Sequence, residues 1–277
     1  LEDDSVKGVS ARVIGSEDQA LSEPFRLNEF TLGNQHKAQV VAMPSGGFAA
    51  VWISDQQQDA RSIDVVLRLF SDAGQPMTDE VIANPVGISA NPMLAVSGES
   101  LVVAWEQLDL EQKFNRWDIG ARSFDFNLKP LSDPVLANLH RKGDQFAPQL
   151  QGGPHGSMLV WTSLGQDKSR EAVMGRFINS SGRLVEGEVR VNTTQALAQM
   201  QPTLTLSTNG EFLVAWSTPN LGDTGFDVVG QRYASEEATD LLAAISEVFV
   251  NPISETELLV SWPAVKGLGV KHYEVFF

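Results

Sequence analysis

The sequence predicts an all-β fold, a β-propeller of four-stranded blades, and three observations support this prediction. A unit of about 54 residues recurs along the chain, with a Trp and an Arg at fixed places in each copy. Gly and Asn-Gly pairs separate short strands as hairpin turns do, and strong helix signals are absent. The strand that ends in Trp is apolar on both faces, so neighbouring units must cover both sides of it.

Four full units can be delimited by an Asn that opens each of them. These residues are Asn28, Asn84, Asn138 and Asn192. They define unit 1 (28–83), unit 2 (84–137), unit 3 (138–191) and unit 4 (192–245). Residues 1–27 form an N-terminal half-unit, because Arg12 precedes Asn28 by the same 16 residues that separate Arg from Asn in later copies.

Each unit contains four short strands in the order that a propeller blade requires. The first strand lies in segments such as NPMLAV and QPTLTL, the second ends in Trp, the third carries the Arg, and the fourth precedes the next Asn. Units of this kind can stack into a propeller of four full blades and a split or partial fifth, and a flat solenoid is the competing packing.

The best copy of the unit, GEFLVAW followed by DVVGQRY, carries a family resemblance. With its GGFVVxW-type strand, acidic loop and GQRF-type strand, residues 1–245 resemble a propeller-like repeat of large bacterial surface and secreted proteins. The resemblance implies an extracellular or cell-surface module and no known reaction.

The tail, residues 246–277, departs from the repeat. VNPISETELLVSWPAVKGLGVKHYEVFF resembles the first strands of a fibronectin type III domain. Its strands could instead pair with the N-terminal half-unit and close the ring, and the sequence leaves both readings open.

Composition excludes several classes of function. With 20 Lys and Arg against 35 Asp and Glu, the formal charge is −15, which repels nucleic acid. Without cysteine there is no disulfide, thiol nucleophile or thiolate metal site. No apolar run is long enough for a membrane helix, so we expect no membrane insertion.

The repeated Trp and Arg residues are expected to be scaffolding rather than ligand contacts. The Trp side chains should pack between units, with each indole N–H on a backbone carbonyl. The Arg side chains should bind acidic groups or carbonyls between neighbouring blades. Trp117, with Phe114 nearby in the loop FNRWDIG, fits no repeat position and is therefore the candidate contact for a ligand or partner.

Acidic side chains between the second and third strands are candidate calcium ligands, because calcium takes six to eight oxygen atoms. The candidates are Asp55, Asp59, Asp64, Asp223 and Asp227. Their spacing varies between units and matches no calcium-loop motif, so a solvated acidic rim is the alternative. We expect no other cofactor.

No catalytic residue is predicted. The first strands, which face the axis of a propeller, contain no Asp or Glu, and no GxSxG motif is present. We therefore expect a non-catalytic extracellular binding or adhesion module of a bacterial protein, with a protein or glycan bound at the loop face. The alternatives are a structural subunit that binds copies of itself through its terminal strands, and a carbohydrate-active enzyme whose carboxylates reach the axis from elsewhere.

Overall fold

The protein was analysed as a computed structural model, which describes residues 7–109, 117–167, 170–193, 197–207, 211–219, 225–233, 249–252 and 258–261. Every regular element in these ranges is a β-strand, which confirms the predicted all-β class. No helix in these ranges could cross a membrane.

The strands follow the predicted units. The N-terminal half-unit contains β1 (Ser10–Ala11) and β2 (Phe25–Arg26). Unit 1 contains β3 (Gln35–Ala42), β4 (Phe48–Asp55), β5 (Ile63–Phe70) and β6 (Val81–Ile82). Unit 2 contains β7 (Ile88–Ser97), β8 (Ser100–Leu108), β9 (Trp117–Phe124) and β10 (Val135–Leu136). Unit 3 contains β11 (Gln145–Gly153), β12 (Gly156–Leu164), β13 (Glu171–Asn179) and β14 (Val189–Arg190).

The described part of unit 4 contains β15 (Met200–Leu206), β16 (Phe212–Pro219) and β17 (Phe226–Tyr233), and the tail contains β18 (Phe249–Pro252) and β19 (Leu258–Ser261). Within each unit, successive strands pair antiparallel in chain order. A parallel contact between Ile63 and Ile88 joins β5 to β7. The first strands of consecutive units are neighbours in space, so β3, β7, β11 and β15 form one row.

Consecutive units stack face to face, and the repeated Trp residues are buried between them. Trp105 packs against Val51 and Leu67 of unit 1, and each of the other three fills the corresponding layer between neighbours. The predicted packing role is therefore confirmed. The predicted carbonyl partner is wrong: Nε1 of Trp52 and of Trp161 has no partner among the described residues, because aliphatic side chains enclose the ring.

The Asn that opens each unit ties it to the preceding third strand. In each copy its Oδ1 accepts a hydrogen bond from the backbone N–H 19 residues earlier. The donors are Val9, Val65, Ile119 and Val173, at 2.7–2.9 Å. All four Asn side chains are buried, so each satisfies a backbone donor that water cannot reach.

The repeated Arg joins carbonyls of two neighbouring units, as predicted. Arg176 donates from Nε to Val185 O at 2.7 Å and from Nη1 to Ala137 O at 2.8 Å. Arg68 and Arg122 make the equivalent pairs of bonds. A planar guanidinium suits this role because its donors point in fixed directions.

The two ends of the chain pair locally among the described residues. β1 pairs with β2 in the half-unit, and β18 pairs with β19 in the tail. The pairing that would close a ring, between residues 9–14 and β19, is not among the recorded strand pairings of the described residues.

Candidate functional site

A row of strained bulges runs across the first strands of all four units. The pairing with the second strand shifts register in each unit, at a residue with left-handed backbone geometry. These residues are Lys37 (φ 54), Asn91 (φ 46), Ala147 (φ 53) and Gln201 (φ 53). We call them the bulge row. Left-handed geometry is uncommon for residues other than Gly, and both bulges and such strain are enriched at functional sites.

Glu106 brings a carboxylate to this row from the second strand of unit 2. It follows Trp105 on β8 and is only 6% exposed. Its Oε1 accepts hydrogen bonds from Asn91 Nδ2 and from the backbone N–H of Ala147, both at 2.7 Å. The side chain thus touches the bulges of two neighbouring units, and Asn91 Oδ1 in turn accepts a hydrogen bond from Lys37 Nζ.

Glu106 is unusual among the residues that occupy its repeat position. The residue after the Trp is Ile53 in unit 1, Thr162 in unit 3 and Ser217 in unit 4, so only unit 2 places a charge there. Thr162 makes the same contact as Glu106: its Oγ1 accepts from the backbone N–H of Gln201 at 3.1 Å. A hydroxyl is therefore sufficient for the scaffold, and a buried carboxylate is an added feature that costs desolvation free energy.

A second carboxylate lies beside the first strand of unit 1. Asp55 Oδ1 is 3.9 Å from Nε2 of His36, the residue before Lys37, and Asp55 Oδ2 accepts from Asn34 Nδ2 at 3.0 Å. Both His36 and Asp55 are partly exposed. His36 directly precedes Lys37 of the bulge row on β3.

The bulge row, Glu106 and the His36–Asp55 pair offer side chains that can bind polyols and transfer protons. The Lys37 ammonium and Asn91 amide can donate to hydroxyl groups, and two carboxyl groups and an imidazole can act as acids or bases. The first strands themselves carry no Asp or Glu, as the sequence indicates, but the carboxylates reach them from the second strands. Glu106 is not among the residues predicted from the sequence. Two features of the sequence could have indicated this site. Unit 2 has an acidic residue directly after its Trp, and a proline follows the bulge residue in each of units 2 to 4.

Trp117 lies elsewhere than predicted. It is the first residue of β9, opposite Leu108, and not a loop residue, so it occupies the repeat position that Ile63 and Glu171 fill in units 1 and 3. Its backbone N–H donates to Asp144 Oδ1 at 3.2 Å, and its side chain is partly buried. The third strand simply extends further than the loop composition suggested. Phe114 lies outside the described residues.

Three of the predicted calcium ligands, Asp55, Asp59 and Asp64, accept hydrogen bonds from nearby donors. Asp64, buried on β5, accepts from the backbone N–H groups of Gln57 and Gln58 and from Ser62 Oγ. Asp59 Oδ1 accepts from Arg61 N, and Asp227 lies on β17. In the described ranges no three acidic or His side chains form a group that could hold a metal ion. Asp223 is not described, so calcium binding stays a prediction.

No protein-family model and no curated protein matches the sequence. Distant likenesses are found among solved structures. A thermostable family-43 glycoside hydrolase is 10% identical, with 87% of this chain and 78% of that chain covered and a TM-score of 0.43. An endo-arabinase from Bacteroides thetaiotaomicron VPI-5482 is 14% identical, with 72% and 75% covered and a TM-score of 0.44. An α-L-arabinanase from Penicillium chrysogenum, complexed with arabinobiose, is 12% identical, with 73% and 64% covered and a TM-score of 0.48.

These comparisons correct the expected function. These three structures are glycan-cleaving enzymes, which contradicts the expectations of a non-catalytic binding or adhesion module and of a chain that is not an enzyme. Likenesses at this identity and TM-score assign no activity to this chain.

Proposed function

We propose that this chain is a carbohydrate-active domain whose substrate lies over the bulge row, with Glu106 as its central carboxyl group. The observation that carries the proposal is the position of Glu106, a buried carboxylate fixed to the bulges of two units where a hydroxyl suffices for the scaffold. Bulges are over-represented next to active sites, where they re-aim side chains, and Glu106 is held by two of them.

Glycoside cleavage requires two carboxyl groups, one that protonates the leaving oxygen and one that activates water or attacks the sugar. Glu106 and Asp55 are the two carboxyl groups that this site offers for these roles. Lys37 and Asn91 would bind sugar hydroxyls. Asn91 is oriented for this by its bond to Glu106, which fixes the amide so that Oδ1 faces Lys37.

We also propose where the protein is located and how its units are arranged. An extracellular or cell-surface location suits a domain that acts on glycans. The units would form a propeller, whose fifth blade combines the half-unit with β18 and β19. The half-unit supports this, because its Val9 N–H is bound by Asn28 and Arg12 Nε donates to Ser22 O at 2.9 Å, as in complete units.

A glycan panel tests the proposed activity. Nitrophenyl arabinofuranosides and xylosides, together with arabinan and xylan oligosaccharides, would be incubated with the protein and the released sugar measured. We expect turnover of at least one substrate, and we expect Glu106→Gln to lower it by about 10²–10⁴-fold, the range of general acid–base catalysis.

Glu80→Gln is the matched control. Glu80 also accepts backbone N–H bonds through one carboxylate oxygen, from Glu29 and Phe30, but its hydrogen-bond partners do not belong to the bulge row. Its change should leave turnover unaltered. Absence of both turnover and binding across the panel, or full activity of Glu106→Gln, would contradict the proposal.

A further inference from the structure

A cleft between units 2 and 3, separate from the bulge row, has the features of a second ligand site. Its volume is about 420 Å³, and strands β8, β9 and β13 contribute to its walls. Leu131, Val135 and Leu139 line it with exposures of 52%, 44% and 57%, which is high for apolar side chains of this size. Arg122, Arg176 and Arg183 also line this cleft.

Arg68, the equivalent Arg of unit 1, forms an ion pair that Arg176 does not form among the described residues. Arg68 donates from Nε to Thr78 O and from Nη1 to Leu27 O, and its Nη2 lies 3.0 Å from Oε2 of Glu29. Arg176 makes similar Nε and Nη1 bonds two unit pairs further on, with its Nε acceptor nine instead of ten residues after the Arg. Because such bonds orient a planar guanidinium, we expect Nη2 of Arg176 to point in a similar direction.

Leu139 occupies the repeat position of Glu29, one residue after the Asn that opens the unit. The position that offers Arg68 a carboxylate therefore holds an apolar residue in unit 3, as it does in unit 2, where it is Pro85. Among the described residues, no carboxylate forms an ion pair within 4.0 Å of Arg176. The carboxylates of Glu188 and Glu186 attract the Arg176 guanidinium electrostatically, from beyond the 4.0 Å of an ion pair.

Glu188 does not take the place of the missing carboxylate. Its Oε1 accepts from the backbone N–H groups of Leu139 and His140, and its Oε2 accepts from Gln166 Nε2 at 2.6 Å. In unit 1, Glu80 makes the same three contacts while Glu29 still pairs with Arg68. The acidic residues at the Glu29 and Glu80 positions thus make separate contacts. Unit 3 has an acidic residue, Glu188, only at the second of these positions.

We propose that the cleft binds a small amphipathic carboxylate. The apolar body would lie against Leu131, Val135 and Leu139, and the carboxylate would bind Nη2 of Arg176 as Glu29 binds Arg68. The volume falls in the range of small-molecule sites, and Arg is well suited to a carboxylate. The chain carries a net charge of −15, so general attraction of anions cannot account for such binding.

Calorimetric titration with 4-phenylbutyrate, compared with the neutral 4-phenylbutyramide, tests this site. We expect saturable binding of one carboxylate per chain and at least tenfold weaker binding of the amide. Leu139→Glu should abolish binding, because its own carboxylate would pair with Arg176. Leu139→Gln, of similar size without the charge, should bind more tightly than Leu139→Glu.

Glu29→Leu is the control at the equivalent position of unit 1 and should leave binding in the cleft unchanged. Circular dichroism would confirm that each variant is folded, which the exposure of residue 139 favours. Equal affinity for the acid and the amide, equal binding by the Leu139→Glu and Leu139→Gln variants, or no binding at millimolar phenylbutyrate would each overturn the proposal.

Discussion

The backbone N–H of Ala147 donates to Oε1 of Glu106 at 2.7 Å, so a bulge of unit 3 holds a carboxylate of unit 2. Thr162 holds the bulge of unit 4 with a hydroxyl at the same repeat position. The scaffold thus contains its own reference for this contact. Structure and function at Glu106 can be separated by giving it the side chain that unit 3 uses.

Glu106→Thr should preserve folding and remove activity. The Thr hydroxyl can accept from Ala147 N, so the free energy of unfolding should change by less than about 1 kcal/mol, whereas Glu106→Leu leaves that donor unsatisfied and should cost about 1–3 kcal/mol. Urea unfolding measures stability, and the glycan panel measures turnover. Unchanged turnover in Glu106→Thr would mean that the carboxylate has no role in the reaction.

Asn138→Ala should destabilise the protein by about 1–3 kcal/mol, because the buried N–H of Ile119 loses its acceptor. The same unfolding measurement applies. Asn127→Ala is the control, since Asn127 is an exposed turn residue, and should shift stability by less than about 0.5 kcal/mol. Equal stability of the two variants would show that the Asn positions do not hold successive units together.

Tyr233 should make stability depend on pH in the alkaline range. Burial raises the pKa of the Tyr233 phenol above its ordinary value, so the unfolded chain loses this proton first. The contribution is fully present below about pH 10 and decreases as the pH rises above that value. Urea unfolding between pH 8 and 11 should show a steeper loss for the wild type than for Tyr233→Phe. Parallel pH profiles would contradict this assignment.

A double variant, Val13→Cys with Leu259→Cys, tests ring closure. In units 1 to 3 the residue after the repeated Arg pairs with the residue three before the Trp, as Leu69 does with Ala49. The same register would place Val13 opposite Leu259. Because the chain has no cysteine, oxidation should give a single intrachain disulfide, visible as a mobility shift without reductant.

The control for closure replaces Leu258 instead of Leu259, since neighbouring strand residues point to opposite faces. It should not crosslink to Val13→Cys. If the Val13 and Leu259 pair also fails to crosslink within one chain, the tail does not close the ring, and the reading of residues 246–277 as the start of a fibronectin type III domain is favoured.

Periodicity explains which features could be predicted from the sequence. Trp105 and Arg122 recur at fixed spacing because each repeat makes the same contacts with its neighbours, and spacing is visible in a sequence. Trp117 was misplaced because acidic and aromatic residues nearby resemble a loop, whereas the pairing of Leu108 with Trp117 extends the strand. Backbone pairing partners are not visible in local composition.

The sequence alone determined the all-β class and the scaffolding roles of the Trp and Arg series, since each depends on a repeated pattern. Only the tertiary structure decided where the departures from the pattern matter. Glu106 and Leu139 occupy positions at which the four units differ from one another, and the roles proposed for them depend on Ala147 and Arg176, which lie 41 and 37 residues away along the chain. A residue that occurs in one unit only forms no repeated pattern in the sequence. Its role becomes apparent only from the residues that folding brings into contact with it.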